Sequence, residues 1–148
     1  MSFKRILVPV DGSELTERAI DASVSLASQL GASIVGFVAR PQIRTLTGRR
    51  PRGPAEEDAP DSELTTAAQT QPVLARFAAA ARAAQVPFEG VCDEVPRIDD
   101  AIIAAAESHD CDMIVMVTHG RGAFGEFLFG SQSKAVLAGS RLPLLVLH

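Results

Sequence analysis

The sequence predicts an α/β protein: a single doubly wound, five-stranded parallel sheet with helices on both faces. Three observations carry this. Short apolar, β-branched runs alternate with longer stretches of helical period, as in βαβ units. The clearest run, Met113 to Val117, is apolar at every position, which is how a strand buried on both faces reads. A length of 148 residues fits one domain, residues 1–148, with one good core.

The elements follow in chain order. Arg5 to Val10 is apolar and predicts the first strand. Asp11-Gly12-Ser13 is a turn, and Ser13 can cap a helix whose first turn holds Glu14 and Glu17. Leu15, Ala19, Ala22, Leu26 and Leu30 make one helical face, and Gly31 suits the left-handed residue that ends the helix. Ala32 to Val38 is the second strand. Arg40 to Asp61 breaks the pattern with four prolines, an arginine cluster and then an acidic cluster. It has too few apolar residues to offset ordering entropy, so it is expected to be a mobile surface insertion. Its plain role is a solvated linker, and its sharper one is an arginine-rich lid over a phosphate or a partner protein.

Ser62 to Gln85 reads as helix, with a disturbance expected at Pro72. Val86 to Val91 is the third strand. A helix starts at Pro96, with Ile98, Ala101, Ile102, Ala105 and Ala106 on one face. Met113 to Val117 is the fourth strand. Gln132 to Ala138 is the last helix, capped by Ser131, and Leu144 to Leu147 the fifth strand. Cys92 and Cys111 lack metal spacing and read as small packed side chains, with a reducing cytoplasm as the simplest compartment.

Composition removes several functions. A net charge of −4 and a pI near 5.3 argue against a general nucleic-acid binder. No apolar run approaches the roughly 18 residues of a membrane span. Met1 to Arg5 leads into a short strand, unlike a signal peptide.

The chemistry concentrates where the fourth strand gives way to a glycine-bearing loop, 118–130, and then to a helix. The first N–H groups of a helix have no intrahelical partner and its dipole is positive there, so this junction suits an anion, phosphate above all. Gly120 to Gly125 spells G-x-G-x-x-G, but in the last quarter of the chain and without the acidic residue that a dinucleotide site needs. Gly125 to Gly130 has P-loop spacing, but Ser131-Gln132 stands where Lys-Ser/Thr is required.

A third pattern fits. Gly120, nine residues, then Gly130-Ser131 resembles the nucleotide loop of the universal stress protein family, G-x2-G-x9-G-S/T. Ile6 to Ser13 resembles that family's first strand and turn, and Leu142 to Leu147 its last strand. The first glycine of the pattern falls on Val117 here. The resemblance implies strand order 3-2-1-4-5, which puts the switch point between the first and fourth strands. It also implies a cytoplasmic stress-response protein whose ligand is an adenine nucleotide: ATP first, otherwise ADP or AMP, with or without Mg2+. The base is expected near Val10, Asp11, Val38 and Met116, and Pro9, which precedes Val10, is counted among the nucleotide-binding residues. The sugar is expected beside Val117, and the phosphates near Gly120, Arg121, Gly130, Ser131 and Gln132. From the residues alone, Asp11 can accept from a ribose hydroxyl or an adenine amino group, or simply form an Asx turn with Gly12. Ser131 can bind phosphate or only cap its helix, and Arg121 can reach phosphate or lie solvated.

Three functions stay open at this level. They are a nucleotide-binding sensor, a slow ATPase or phosphotransferase on the same loop, and a nucleotide-free dimeric interaction protein. No general base stands out, and His119 has no recognisable nucleophile beside it. A homodimer is expected through the apolar fifth strand, Leu144 to Leu147, because a sheet edge presents unpaired backbone groups. The sequence does not name a protein partner.

Overall fold

The computed structural model describes residues 2–12, 14–41, 59–95, 97–117 and 131–147. Its strands are β1 (Arg5–Pro9), β2 (Ser33–Pro41), β3 (Phe88–Val95), β4 (Met113–Val117) and β5 (Leu144–Leu147). Its helices are α1 (Leu15–Leu30), α2 (Ala59–Ala83), α3 (Ile98–Ser108) and α4 (Ser131–Gly139). All registered strand pairs are parallel, in the order β3-β2-β1-β4-β5. This is the expected order.

Side-chain alternation along the strands sorts two cores. Ile6, Val8, Ile34 and Val115 pack with Ala19, Ile20, Val24 and Ala27 of α1 and with Val73, Phe77 and Ala81 of α2. Leu7, Val35, Phe37 and Ile114 pack with Ile102, Ala105 and Ala106 of α3 and with Val136 of α4. Consecutive residues of β1 therefore face opposite layers, and Ile6, Leu7 and Val8 are all fully buried. A strand covered on both faces cannot alternate polar with apolar. That is why these runs read as continuous.

Element boundaries moved for physical reasons. β2 runs on through Arg40 and Pro41 because β3 is longer than its apolar run suggests, and Arg40 and Pro41 lie opposite Glu94 and Val95. Pairing satisfies backbone groups that a loop would leave to water. Ala59 to Asp61 belongs to α2, which continues through Pro72. The rest of the expected insertion, 42–58, lies outside the described residues.

Three helix ends share one device. Gly31 is left-handed at φ 65°, and Ala32 N–H donates to the Ala27 carbonyl at 2.9 Å. Gln85 (φ 59°) and Asp110 (φ 51°) occupy the equivalent position after α2 and α3. There Val86 N–H reaches the Ala81 carbonyl and Cys111 N–H the Ala106 carbonyl, both at 2.8 Å. These bonds close the Schellman pattern and satisfy orphan carbonyls. Gly31 announces its role in the sequence; Gln85 and Asp110 do not, because tertiary placement holds them in a conformation that non-glycine residues rarely adopt.

Gly36, in the middle of β2, is fixed by a different constraint. A Cβ there would lie 2.7 Å from the Phe88 ring and 3.0 Å from Phe77. These rings are tilted against each other with centroids 4.8 Å apart. They close the core over the sheet only because residue 36 has no side chain. Gly36→Ala is expected to destabilise the protein by about 1–3 kcal/mol, the usual range for overpacking. Urea denaturation compared with the native chain checks this, and an unchanged midpoint would refute it.

Candidate functional site

In an open α/β sheet the place for a ligand is the crevice beyond the strand ends where strand order reverses. Here that place is set by β1. Its ladder with β2 runs from Arg5–Ser33 to Pro9–Phe37, and the β4 ladder with β5 runs out to Val117–Leu147. Between β1 and β4 the register pairs are Ile6–Met113 and Leu7–Ile114. The seam between the two strands is thus laddered toward their amino ends and not toward their carboxyl ends.

The turn leaving β1 is held at defined points. Val10 N–H donates to the Phe37 carbonyl at 2.8 Å, which extends the alignment with β2 by one residue. Asp11 follows and is exposed. Gly12 takes φ +81°, a region that a side chain would strain. Gly12 N–H donates to Thr16 Oγ1 at 3.0 Å. Ser13, the expected cap, lies outside the described residues, while Glu14 occupies the N-cap position and makes no side-chain capping bond. Thr16, which is only 2% exposed, is the residue that the sequence reading passed over. Its signal was a hydroxyl in the first helical turn, four residues after a glycine.

The expected site residues divide between the two layers. Val10 and Val38 are buried in the core on the α1–α2 side, and half-buried Val117 packs against that same core. Met116 is buried in the other core, with Val136 of α4. Pro9 is half-buried at the end of β1. Ser131 and Gln132 open α4, which follows β4 and leads back to parallel β5. A helix in that connection runs antiparallel to the strands, so its N-terminus lies at their carboxyl edge. Gly120, Arg121 and Gly130 lie outside the described residues, as do His119 and His148. Among the described residues no group of three or more His, Cys, Asp or Glu side chains is placed to hold a metal ion.

With this geometry in place, the family can be decided. The model of the universal stress protein family matches residues 2–148. The chain belongs to that family. It is 32% identical, over 99% of each chain, to a universal stress protein of Thermus aquaticus named for its position 3′ of a sulfhydrylase gene. A universal stress protein solved in complex with cAMP is 19% identical, with a TM-score of 0.71 over 100% of this chain and 98% of its own. The Archaeoglobus fulgidus universal stress protein in complex with dAMP is also 19% identical, with a TM-score of 0.63 over 100% of both chains. Likeness at this level of identity establishes the shared fold.

The amino end of the sheet in this universal stress protein is built differently. Arg5 on β1 pairs with Glu89 on β3, and His109 Nδ1 lies 3.5 Å from the other oxygen of Glu89. His109 is half-buried beside this contact. Asp112 accepts from Lys4 N–H at 2.8 Å and from Arg5 N–H at 3.1 Å. Cys111, 6% exposed, sits inside this group. Burial pushes its thiol up to about 11, against a partial opposing pull from the Arg5 guanidinium. Both cysteines are free.

A raised thiol pKa fixes a sign. The fold favours the protonated thiol, so its contribution is intact below the ordinary value of 9.0 and is lost as pH rises toward about 11. The chain has no Tyr, which removes one competing alkaline titration. Between pH 9.0 and about 11 the protein is expected to lose stability through this group, on the order of 1–2 kcal/mol after screening by solvent. Cys111→Ala should flatten that decline in guanidinium unfolding followed against pH. Parallel declines in the two proteins would contradict it.

Proposed function

We propose that this universal stress protein binds an adenine nucleotide where the carboxyl ends of β1 and β4 part, and acts as a sensor or signalling module in the cytoplasm. One observation carries the reading. The strand reversal brings Pro9-Val10-Asp11 and Met116-Val117, distant in sequence, to the edge where the positive end of α4 also lies. The relatives crystallised with cAMP and dAMP add support. Those ligands differ in sugar and in phosphate linkage and share the adenine ring. Base recognition is therefore the common part, and Val10, Val38 and Met116 are the apolar residues offered for it. Asp11 supplies an acceptor for an adenine amino group or a ribose hydroxyl. The N–H groups of Gly130, Ser131 and Gln132 are the donors proposed for phosphate, with Gly120 and Arg121 preceding them in the sequence. ATP is the first candidate, then ADP and AMP. Mg2+, where present, would arrive on the phosphates, its usual mode of binding.

A second reading has its own observation. Val117 replaces the first glycine of the family loop pattern, and its side chain packs on the core. A nucleotide-free dimeric protein would have that character. Its dimer surface would be β5, an edge strand of half-buried Leu144 to Leu147. The same surface serves the nucleotide-binding dimer. Light scattering at micromolar concentration should give twice the chain mass, and a monomer would refute the β5 pairing.

The ligand can be read directly. Anion-exchange of the supernatant from the denatured native protein should yield ATP; ADP would indicate turnover, and no nucleotide would favour the second reading. Titration calorimetry then tests Val117 and the loop. Val117→Gly should bind ATP about tenfold more tightly, roughly 1.4 kcal/mol, because backbone can approach the sugar. It should also cost about 1–2 kcal/mol of stability through lost packing and strand entropy. Gly130→Val should abolish binding. Unchanged or weaker affinity in Val117→Gly would remove the steric role of Val117.

A further inference from the structure

We propose that Thr16 is a positioning residue for the nucleotide, acting through Asp11. The inference rests on the nucleotide-binding reading and adds to it a residue that makes no contact with the ligand. Asp11 is exposed, yet the residues on both sides of it are held. Val10 N–H is bonded to the Phe37 carbonyl of β2 at 2.8 Å. Gly12 N–H is bonded to Thr16 Oγ1 at 3.0 Å. Gly12 is the residue of this turn with the widest conformational freedom, and the Thr16 bond removes that freedom at φ +81°. The clamp presents an exposed carboxylate in one backbone setting before any ligand arrives, which lowers the ordering cost of binding.

Other features single Thr16 out. At 2% exposure its hydroxyl must be satisfied inside the protein, and a β-branched hydroxyl residue is a weak helix former. Alanine would suit α1 better. A capping residue would earn its place by bonding the helix's own first amides, but here the hydroxyl bonds an amide outside the helix. Thr16 is the second residue of α1 and the amide it accepts from lies two residues before the N-cap Glu14, so the bond ties the turn to the helix.

The test uses ATP as probe, with calorimetry on the full chain at 25 °C. Thr16→Val keeps the shape and removes the acceptor. Thr16→Ala removes it without a misplaced methyl group, and Thr16→Ser keeps it. Thr16→Val and Thr16→Ala should each weaken ATP about tenfold, while Thr16→Ser stays within about twofold of the native protein. In an Asp11→Ala background, Thr16→Val should add no further loss, because residues acting through one another are not additive. Native-like affinity in Thr16→Val and Thr16→Ala would overturn the proposal and leave nucleotide binding standing. So would full additivity with Asp11→Ala, or failure of both variants to fold, since the hydroxyl would then serve α1 alone. No ATP binding by the native protein would overturn the proposal and the reading beneath it together.

Discussion

Everything in this molecule depends on β1 being covered on both faces. Ile6, Leu7 and Val8 have no exposure, and their side chains alternate between the α1–α2 core and the α3–α4 core. A strand in that position has β2 on one side and β4 on the other. The chain reaches β2 directly through α1, then crosses back over β1 from β3 to reach β4. The reversal that makes a crevice is thus a consequence of burying β1 completely. Its carboxyl end must emerge in the crevice, and the Asp11–Gly12 turn goes where β1 sends it.

The two ends of the sheet have opposite characters. At the amino end, Arg5, Glu89, His109 and Asp112 tie β1, β3 and the turn before β4 together around the buried Cys111. The Arg5–Glu89 pair and the Lys4–Asp112 bond are exposed, so each is worth little alone. Their joint effect is to hold the strand starts in register. At the carboxyl end the β1–β4 seam is not laddered, and the residues that follow or close the two strands there, Val10 after β1 and Met116 and Val117 in β4, are apolar. One end is fastened by polar contacts, and at the other the two strands part without a ladder.

The fold was legible because its signals are local. Continuous apolar runs marked β1 and β4, helical spacing marked α1 and α3, and Gly31 marked a helix end. What could not be read was set by partners distant in sequence. Arg40 and Pro41 looked like loop until β3 was seen to pair with them. Gln85 and Asp110 show no sign in the sequence of left-handed backbone. The rings of Phe77 and Phe88 over Gly36 meet only after three elements assemble. The same holds for the candidate site. The place of Val10, Asp11 and Met116 at strand ends was legible, because each lies in or directly after an apolar run. That Val117 packs on one core and Met116 on the other follows from strand alternation, but the consequence for Val117 needed the core itself. Thr16 was missed because a hydroxyl inside a helix reads as filler until its partner is known.

We propose that the crevice between the ends of β1 and β4 receives the nucleotide. Backbone amide chemical shifts of the 15N-labelled protein, followed while ATP is added, test it most directly. Binding there predicts saturable shifts at Val10, Asp11, Gly12, Val117, Ser131 and Gln132, with the amides of Arg5, Glu89, His109 and Asp112 unmoved. Shifts centred on that second group, or none at millimolar ATP, would contradict it.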